Sequence, residues 1–390
     1  MVKVHLIEDD KFHTLTVCVL IRRKLMREES TLNALLAGVL GSGCKKYSDI
    51  SKINNKLENL YGAVFDVQIV KKGEEQIIQF YFDIVTVVDD GYIEAIDFLK
   101  EVILNPLIDR DIHIEKENLK NRILSRYNDK TEYLRLRAVE IACKDEPFSI
   151  YADGYESDLA EITHEKLQAH YQDILKTSAI EFIVVGNACK EIEDRIKNSF
   201  DIGCDEAPPL PTKPYAPKEI TRYNEDLEIS QGKICILARA NPESFYHLLL
   251  LNEILGSTPS SRLFEIIRQK ENLCYTVRSF VYRAKNILII EAGLDSIHFD
   301  KFIKLVQDIL EGLKSLTEKE VASGKKSLIN DLRLTTDSTS AILNFYTSNY
   351  ILGESDTLPH VIEKINAITQ KELEQCPIYI DLISTLSPST

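Results

Sequence analysis

Four short segments of this chain recur later in it, in the same order. Val39–Gly43 (VLGSG) answers Ile254–Thr258 (ILGST) at an offset of 215, and Leu57–Val64 (LENLYGAV) answers Lys270–Val277 (KENLCYTV) at 213. Glu115–Glu117 (EKE) answers Glu318–Glu320 at 203, and Leu159–Gln168 (LAEITHEKLQ) answers Ile365–Glu374 (INAITQKELE) at 206. Ordered matches with small drifts of offset, the size loop insertions produce, mean two homologous domains in one chain. Between them Asp205–Lys218 (DEAPPLPTKPYAPK) holds five of the twelve prolines. Proline removes a backbone donor and fixes φ, so this run is neither helix nor central strand and reads as a semi-rigid linker. The expected domains are therefore 1–204 and 219–390, joined by 205–218.

Both halves show the same order of patterns. A strand (Thr14–Arg22; Gly232–Arg239) leads to an apolar helix (Thr31–Leu40; Phe245–Leu255) and a short helix (Asp49–Leu60; Ser260–Lys270). Two strands follow (Ala63–Val70 and Gln76–Val85; Cys274–Tyr282 and Ile287–Gly293), then a helix (Gly91–Ile103; Phe299–Leu316). A longer helical region (Ile112–Cys143; Glu318–Leu352), a short helix and a last strand (Phe182–Gly186; Ile378–Leu382) complete each half. Grouped strands with segregated helices predict an α+β fold, an antiparallel-rich sheet with helices packed on it in each domain.

Composition removes several function classes. Hydrophobic residues are 44% and charged residues 28% of the 390, as in soluble globular chains. The longest apolar run near the start, Leu15–Ile21, is far short of the ~20 residues that span a bilayer. The opening MVKVHLIEDDKFHTL lacks the apolar stretch of a signal peptide. A net charge of −14 argues against nucleic-acid binding, which needs a basic face. An acidic chamber for basic peptides is one reading of that charge; a solvated surface is the commoner one. Eight scattered cysteines, never C-x-x-C, read as free thiols in a reducing compartment, so the expected location is cytoplasmic.

The strand–helix opening, the G-S-G turn, the EKE helix and the duplication together resemble the pitrilysin/insulinase zinc metallopeptidases. The likeness is strongest to the small two-domain bacterial type found as paired subunits. It implies two homologous α+β halves arranged as half of a clamshell around a peptide chamber. Active members carry H-x-x-E-H on the first apolar helix. Histidines at i and i+4 share a helix face and bind Zn²⁺, and the glutamate deprotonates the zinc-bound water. Setting Lys45–Ser48 (KKYS) on the family's K-K-x-S puts Ala34 and Gly38 at the two histidines and Ala37 at the glutamate. None of the three can bind metal or move a proton. Asn118–Arg126 (NLKNRILSR), where the distal glutamate is expected, has no carboxylate. No metal is therefore expected at this motif, nor at His164, Glu165 and His170, whose histidines stand six apart on opposite helix sides. His113 and His247 read as isolated packing or surface residues.

The second half keeps something else. The resemblance implies that an arginine and a tyrosine seven residues apart bind the substrate backbone and face the zinc, and Arg268 and Tyr275 stand at that spacing. At the 213 offset the first half has Asn55 and Gly62 instead, so the pair is not a by-product of the repeat. The plainer reading makes Arg268 a helix-terminal cation and Tyr275 an ordinary strand aromatic. The turn Gly256–Ser261 (GSTPSS) reads as a glycine helix cap followed by a serine N-cap.

These readings converge on a non-catalytic subunit of a heterodimeric zinc metallopeptidase. It would need no cofactor of its own, with Zn on a partner bearing H-x-x-E-H, and peptides as substrates. The alternative is a scaffold of the same fold with no peptidase role. Isolated chains are expected to be able to homodimerise, with neither nucleic acid nor membrane as a partner. A stand-alone enzyme has least support, because G-x-S-x-G, P-loop and G-x-G-x-x-G patterns are all absent.

Overall fold

The computed structural model of the chain describes residues 2–85, 91–187, 190–204, 207–208 and 215–389. Most of the proline-rich segment, namely 205–206 and 209–214, lies outside them. Among the described residues the strands are β1 (Lys3–Glu8), β2 (Thr14–Lys24), β3 (Val64–Lys72), β4 (Glu75–Val85), β5 (Ala179–Gly186), β6 (Thr221–Leu227), β7 (Lys233–Ala240), β8 (Thr276–Tyr282), β9 (Ile287–Gly293) and β10 (Ile378–Pro388). They form two sheets, ordered β1-β5-β2-β4-β3 and β6-β10-β7-β9-β8. These are one topology used twice, so the repeat in sequence is a repeat in fold. β2, β4 and β3 run antiparallel, as do β7, β9 and β8. β1 joins β5, and β6 joins β10, in parallel. The α+β, antiparallel-rich expectation holds.

β1 and β6 were not expected as strands. KVHLIE and TRYNEDL are edge strands with half-exposed side chains, so neither carries the apolar run that marks a buried strand. Main-chain pairing to one neighbour holds them, with Val4, Leu6 and Ile7 of β1 and Tyr223 and Leu227 of β6 partly buried on the core.

Two compact units emerge, and each takes a segment from the other half of the sequence. The first comprises Met1–Ser125, Ile150–Leu210 and Thr335–Ser355. One face of its sheet packs under helices through Val17, Phe80, Phe82, Phe98 and Phe182. The other face, with Cys18, Leu20, Ile77, Ile183 and Val185, is covered by Ile342, Leu343 and Ile351 of the helix Thr339–Ile351. The second unit comprises Arg126–Ser149, Pro211–Leu334 and Asp356–Thr390. There the helix Lys130–Ala142 lays Leu134, Ala138, Val139 and Ala142 on Cys235, Leu237, Ile287, Ile289 and Leu382.

Each long helical region expected from sequence is thus two helices. The first breaks after Ser125, and Asp129 caps the next helix by accepting from the Thr131 and Glu132 amides. The second breaks between Leu334 and Thr339. Two buried arginines sit at the ends of the exchanged helices. Arg22 on β2 donates to Ile351 O at 3.1 Å, and Arg239 on β7 donates to Ala142 O at 3.0 Å.

Capping also follows the repeat. Thr163 accepts from the Lys166 amide at the start of His164–Thr177, and its counterpart Thr369 forms a full capping box with Glu372. Thr317 and Glu320 make the same reciprocal pair at the helix Glu318–Leu334. Arg262 bonds Glu320 at 2.6 Å and, with Thr317, holds its carboxyl down at about 2 against an ordinary value of 4.5. A depressed carboxylate contributes stability above its unfolded pKa and loses it as pH falls through the folded one. Glu320→Gln is therefore expected to lower stability at pH 7, read from the urea midpoint, by no more than ~1 kcal/mol for a half-buried pair near the surface. The difference from wild type should shrink between pH 4.5 and about 2.

Candidate substrate-contact site

The helix Arg27–Ser42 carries the positions of the degenerate zinc motif. Ala34 and Ala37 are buried among the core apolar residues, and Gly38 is exposed. Packing and a polar network occupy the surroundings. Asn33 donates to Gln76 Oε1 at 2.8 Å and bonds His170 Nε2 at 2.8 Å, while Gln76 donates to Ser30 O and Ala152 O. Thr31 donates to Asp158 at 2.6 Å and accepts from the Tyr155 amide. Gly154 makes this approach possible: its φ is +71, and a Cβ there would stand 2.2 Å from Thr31 Oγ1.

One carboxylate does reach the motif. Cβ of Glu115, on the helix His113–Ser125, lies 4.0 Å from where a Cβ on Gly38 would stand. It is tied to Arg110 at 2.6 Å and accepts from Ser42 at 2.7 Å. One arginine-paired carboxylate beside two alanines and a glycine does not fit a zinc ion. His164 pairs with its neighbour Glu165, and His170 is turned to Asn33, so these histidines do not converge either.

Arg268 and Tyr275, by contrast, are brought together. Arg268 lies on a widened, π-helical stretch, Phe264–Lys270, a geometry frequent at functional sites. Tyr275 stands just before β8, the edge strand of the second sheet. The guanidinium lies over two rings, 4.5 Å from the centroid of Phe264 and 4.8 Å from that of Tyr275. Among the described residues no carboxylate pairs with Arg268 and no acceptor takes its N–H groups. Tyr275 is 77% exposed. Both line a cleft of about 430 Å³ with Thr258, Phe264, Arg278 and Glu291.

A second hollow of about 450 Å³ adjoins it, sharing Gly256, Ser257 and Arg278 and adding Arg135 and Phe280. Glu291, buried on β9, is ion-paired to both Arg278 and Arg135. Its charge is committed, whereas that of Arg268 is not. The acidic excess of the chain is therefore not expressed here, and an acidic chamber for basic peptides finds no support at this cleft. Arg135, Arg278 and Glu291 escaped the sequence reading. The alternation Arg278–Phe280–Tyr282 along one face of β8 was the available signal.

The turn before the cleft differs from expectation. Gly256 is no left-handed helix cap; it belongs to a second π-helical stretch, Glu253–Ser257. A Cβ on it would come within 2.5 Å of both Leu263 Cδ1 and Ser279 Oγ. Glycine is needed there so that β8 can approach the helix, where Ser279 donates to Asn252 at 2.7 Å. Gly256→Ala is expected to cost ~1–3 kcal/mol by overpacking, read as a lowered thermal midpoint.

Comparison with known proteins bears on family likeness and fold. The family described as "Peptidase M16 inactive domain" matches residues 161–328. The chain is 24% identical to the probable inactive metalloprotease YmfF of Bacillus subtilis, over 98% of this chain and 94% of that one. Among solved structures, a conserved protein from Enterococcus faecalis V583 superposes with a TM-score of 0.89 at 25% identity, covering 100% of this chain and 97% of that one. A peptidase M16 inactive domain from Pseudomonas fluorescens gives 0.82 at 17%, covering 100% and 96%. No helix among the described residues is long and apolar enough to cross a membrane. The resemblance read from the repeat and its motifs is thus met by a family model over residues 161–328, by relatives and by fold alike: the chain is similar to inactive members of the M16 peptidases.

Proposed function

We propose that this chain is the non-catalytic subunit of a heterodimeric M16 metallopeptidase, supplying substrate contacts to a partner that carries H-x-x-E-H and the zinc. One observation carries the reading: an arginine with uncommitted donors, stacked on Phe264 and Tyr275 in an open cleft. A solvated surface arginine would more often have a carboxylate partner or extend into water. Here two ring faces hold the guanidinium so that its forked N–H groups suit a peptide carbonyl. The Tyr275 ring, 4.8 Å from the guanidinium and exposed, carries a hydroxyl suited to donate to an oxyanion forming on that carbonyl. The partner's metal would supply the activated water.

The test is reconstitution. Mixed with a purified H-x-x-E-H homologue from the same genome, the chain should form a 1:1 complex. That complex should cleave a quenched fluorescent peptide, and neither chain alone should do so. Absence of a complex and of activity with every such homologue in the genome would leave the scaffold reading.

A further inference from the structure

A second cluster of ligand-bearing side chains lies in the second unit, apart from the Arg268 cleft and the degenerate motif. A ring nitrogen of His247 and carboxylate oxygens of Glu243 and Glu372 all lie within 4.8 Å of one another. Exposed carboxylates often gather without a ligand, so the two glutamates alone would mean little. His247 is what singles this cluster out. It is 8% exposed, near the start of the helix Phe245–Asn252, and its Nε2 is buried with no hydrogen-bond partner. Nδ1 is engaged by Ser244 Oγ at 2.8 Å. With Nδ1–H donated to the serine, the buried Nε2 lone pair is left without a partner in a ring that stands against both carboxylates. With Nε2 protonated instead, a buried donor lacks an acceptor, which is unfavourable. A bound cation resolves the first case.

We propose that Glu243, His247 and Glu372 bind one divalent transition-metal cation of the zinc class. An imidazole with two carboxylates is a donor set for Zn²⁺ or its neighbours rather than for Ca²⁺ or Mg²⁺, which favour all-oxygen shells. Three protein ligands leave a fourth position to water. The supporting bonds are those that orient metal ligands elsewhere. Ser244 anchors the ring at Nδ1 and can accept Nδ1–H when Nε2 takes the ion, and Thr369 donates to Glu372 Oε2 from its amide at 2.6 Å and its hydroxyl at 2.8 Å, leaving Oε1 for the ion. Ligand atoms need to close only to the ~3.3–3.5 Å spacing that ~2.0–2.1 Å bonds give in a tetrahedron. The ion would tie the turn at Glu243, the helix Phe245–Asn252 and the short helix Gln370–Glu374 together. Glu243 and His247 stand four apart in sequence, but Glu372 is too remote for the trio to be read there.

The full chain, stripped with chelator, should take up one Zn²⁺ per molecule by elemental analysis, with a thermal midpoint raised by several degrees at saturating ion. Co²⁺ should give visible bands of a tetrahedral or five-coordinate site. Glu243→Gln, at an exposed position, should weaken affinity at least ~10-fold, and Ser244→Ala ~10–100-fold through the lost orientation of His247. Glu372→Gln keeps the capping box and should weaken binding as Glu243→Gln does. The proposal is overturned if wild type binds no Zn²⁺ or Co²⁺ at 100-fold excess over ~1 µM protein, or if Glu243→Gln and Glu372→Gln bind as tightly as wild type. These readouts need no partner and no peptidase activity, so they stand or fall separately from the heterodimer.

Discussion

Tyr275→Phe should lower kcat of the reconstituted heterodimer about 10²-fold, while the complex assembles as before. Only the hydroxyl is removed, from a ring 77% exposed, so the fold loses nothing that a melting curve would register. A hydrogen bond that forms mainly in the transition state shows as a loss in kcat rather than in KM. Arg268→Ala should act on both, because the guanidinium contacts the ground-state carbonyl as well. Arg268→Lys should recover little, since a point charge lacks the planar fork and stacks poorly between Phe264 and Tyr275. Phe264→Leu keeps the arginine but removes one ring face, and should give an intermediate loss. Unchanged turnover in both Tyr275→Phe and Arg268→Ala would sink the assigned roles even if the heterodimer is real.

Much of this was legible because it depends on local chemistry. A motif can be misaligned by a few residues, but Arg27–Ser42 holds no histidine, so no register along that helix restores H-x-x-E-H. The Arg268–Tyr275 spacing fitted a helix end followed by a strand, and the stacked pair is what that spacing produces. What sequence could not show is the destination of a buried face. The helices Lys130–Ala142 and Thr339–Ile351 each read as continuations of the helix before them, and apolar periodicity says only that one side is covered. Long-range pairing sends each to the opposite half's sheet. The same blindness hid β1 and β6, edge strands whose few partly buried side chains make no apolar run. It also hid the convergence of Glu372 on His247.

The exchanged helices give the other large expected effect. Arg22 binds Glu75 through Nε and Nη2 at 2.8 and 2.7 Å, and Glu181 through Nη1 at 2.6 Å, besides capping Ile351 O. All three side chains are buried. One guanidinium cannot offset two desolvated carboxylates equally. Burial leaves Glu75 above its ordinary range despite Arg22; Glu181, also raised by burial, ends below it because His5 and Arg22 both donate to it. Arg22→Met strands two buried carboxylates and uncaps the exchanged helix, so it should cost ~3–5 kcal/mol at pH 7. Without Arg22, Glu75, already raised by burial, is raised further, so the folded state takes up a proton more readily and the deficit should ease as pH falls towards 5. Adding Glu75→Gln and Glu181→Gln to Arg22→Met should recover much of the loss. Arg239→Met should cost less. Its buried partner Asp381 keeps Lys218 at 3.1 Å, and Glu146 keeps Lys285. Amide exchange locates the effect: Arg22→Met should lose protection first in Thr339–Ile351, whose Tyr350 also stacks on His5 at 3.9 Å, and Arg239→Met in Lys130–Ala142. If both variants melt as wild type, or lose protection uniformly, the arginines do not lock the exchanged helices and the crossing rests on apolar packing alone.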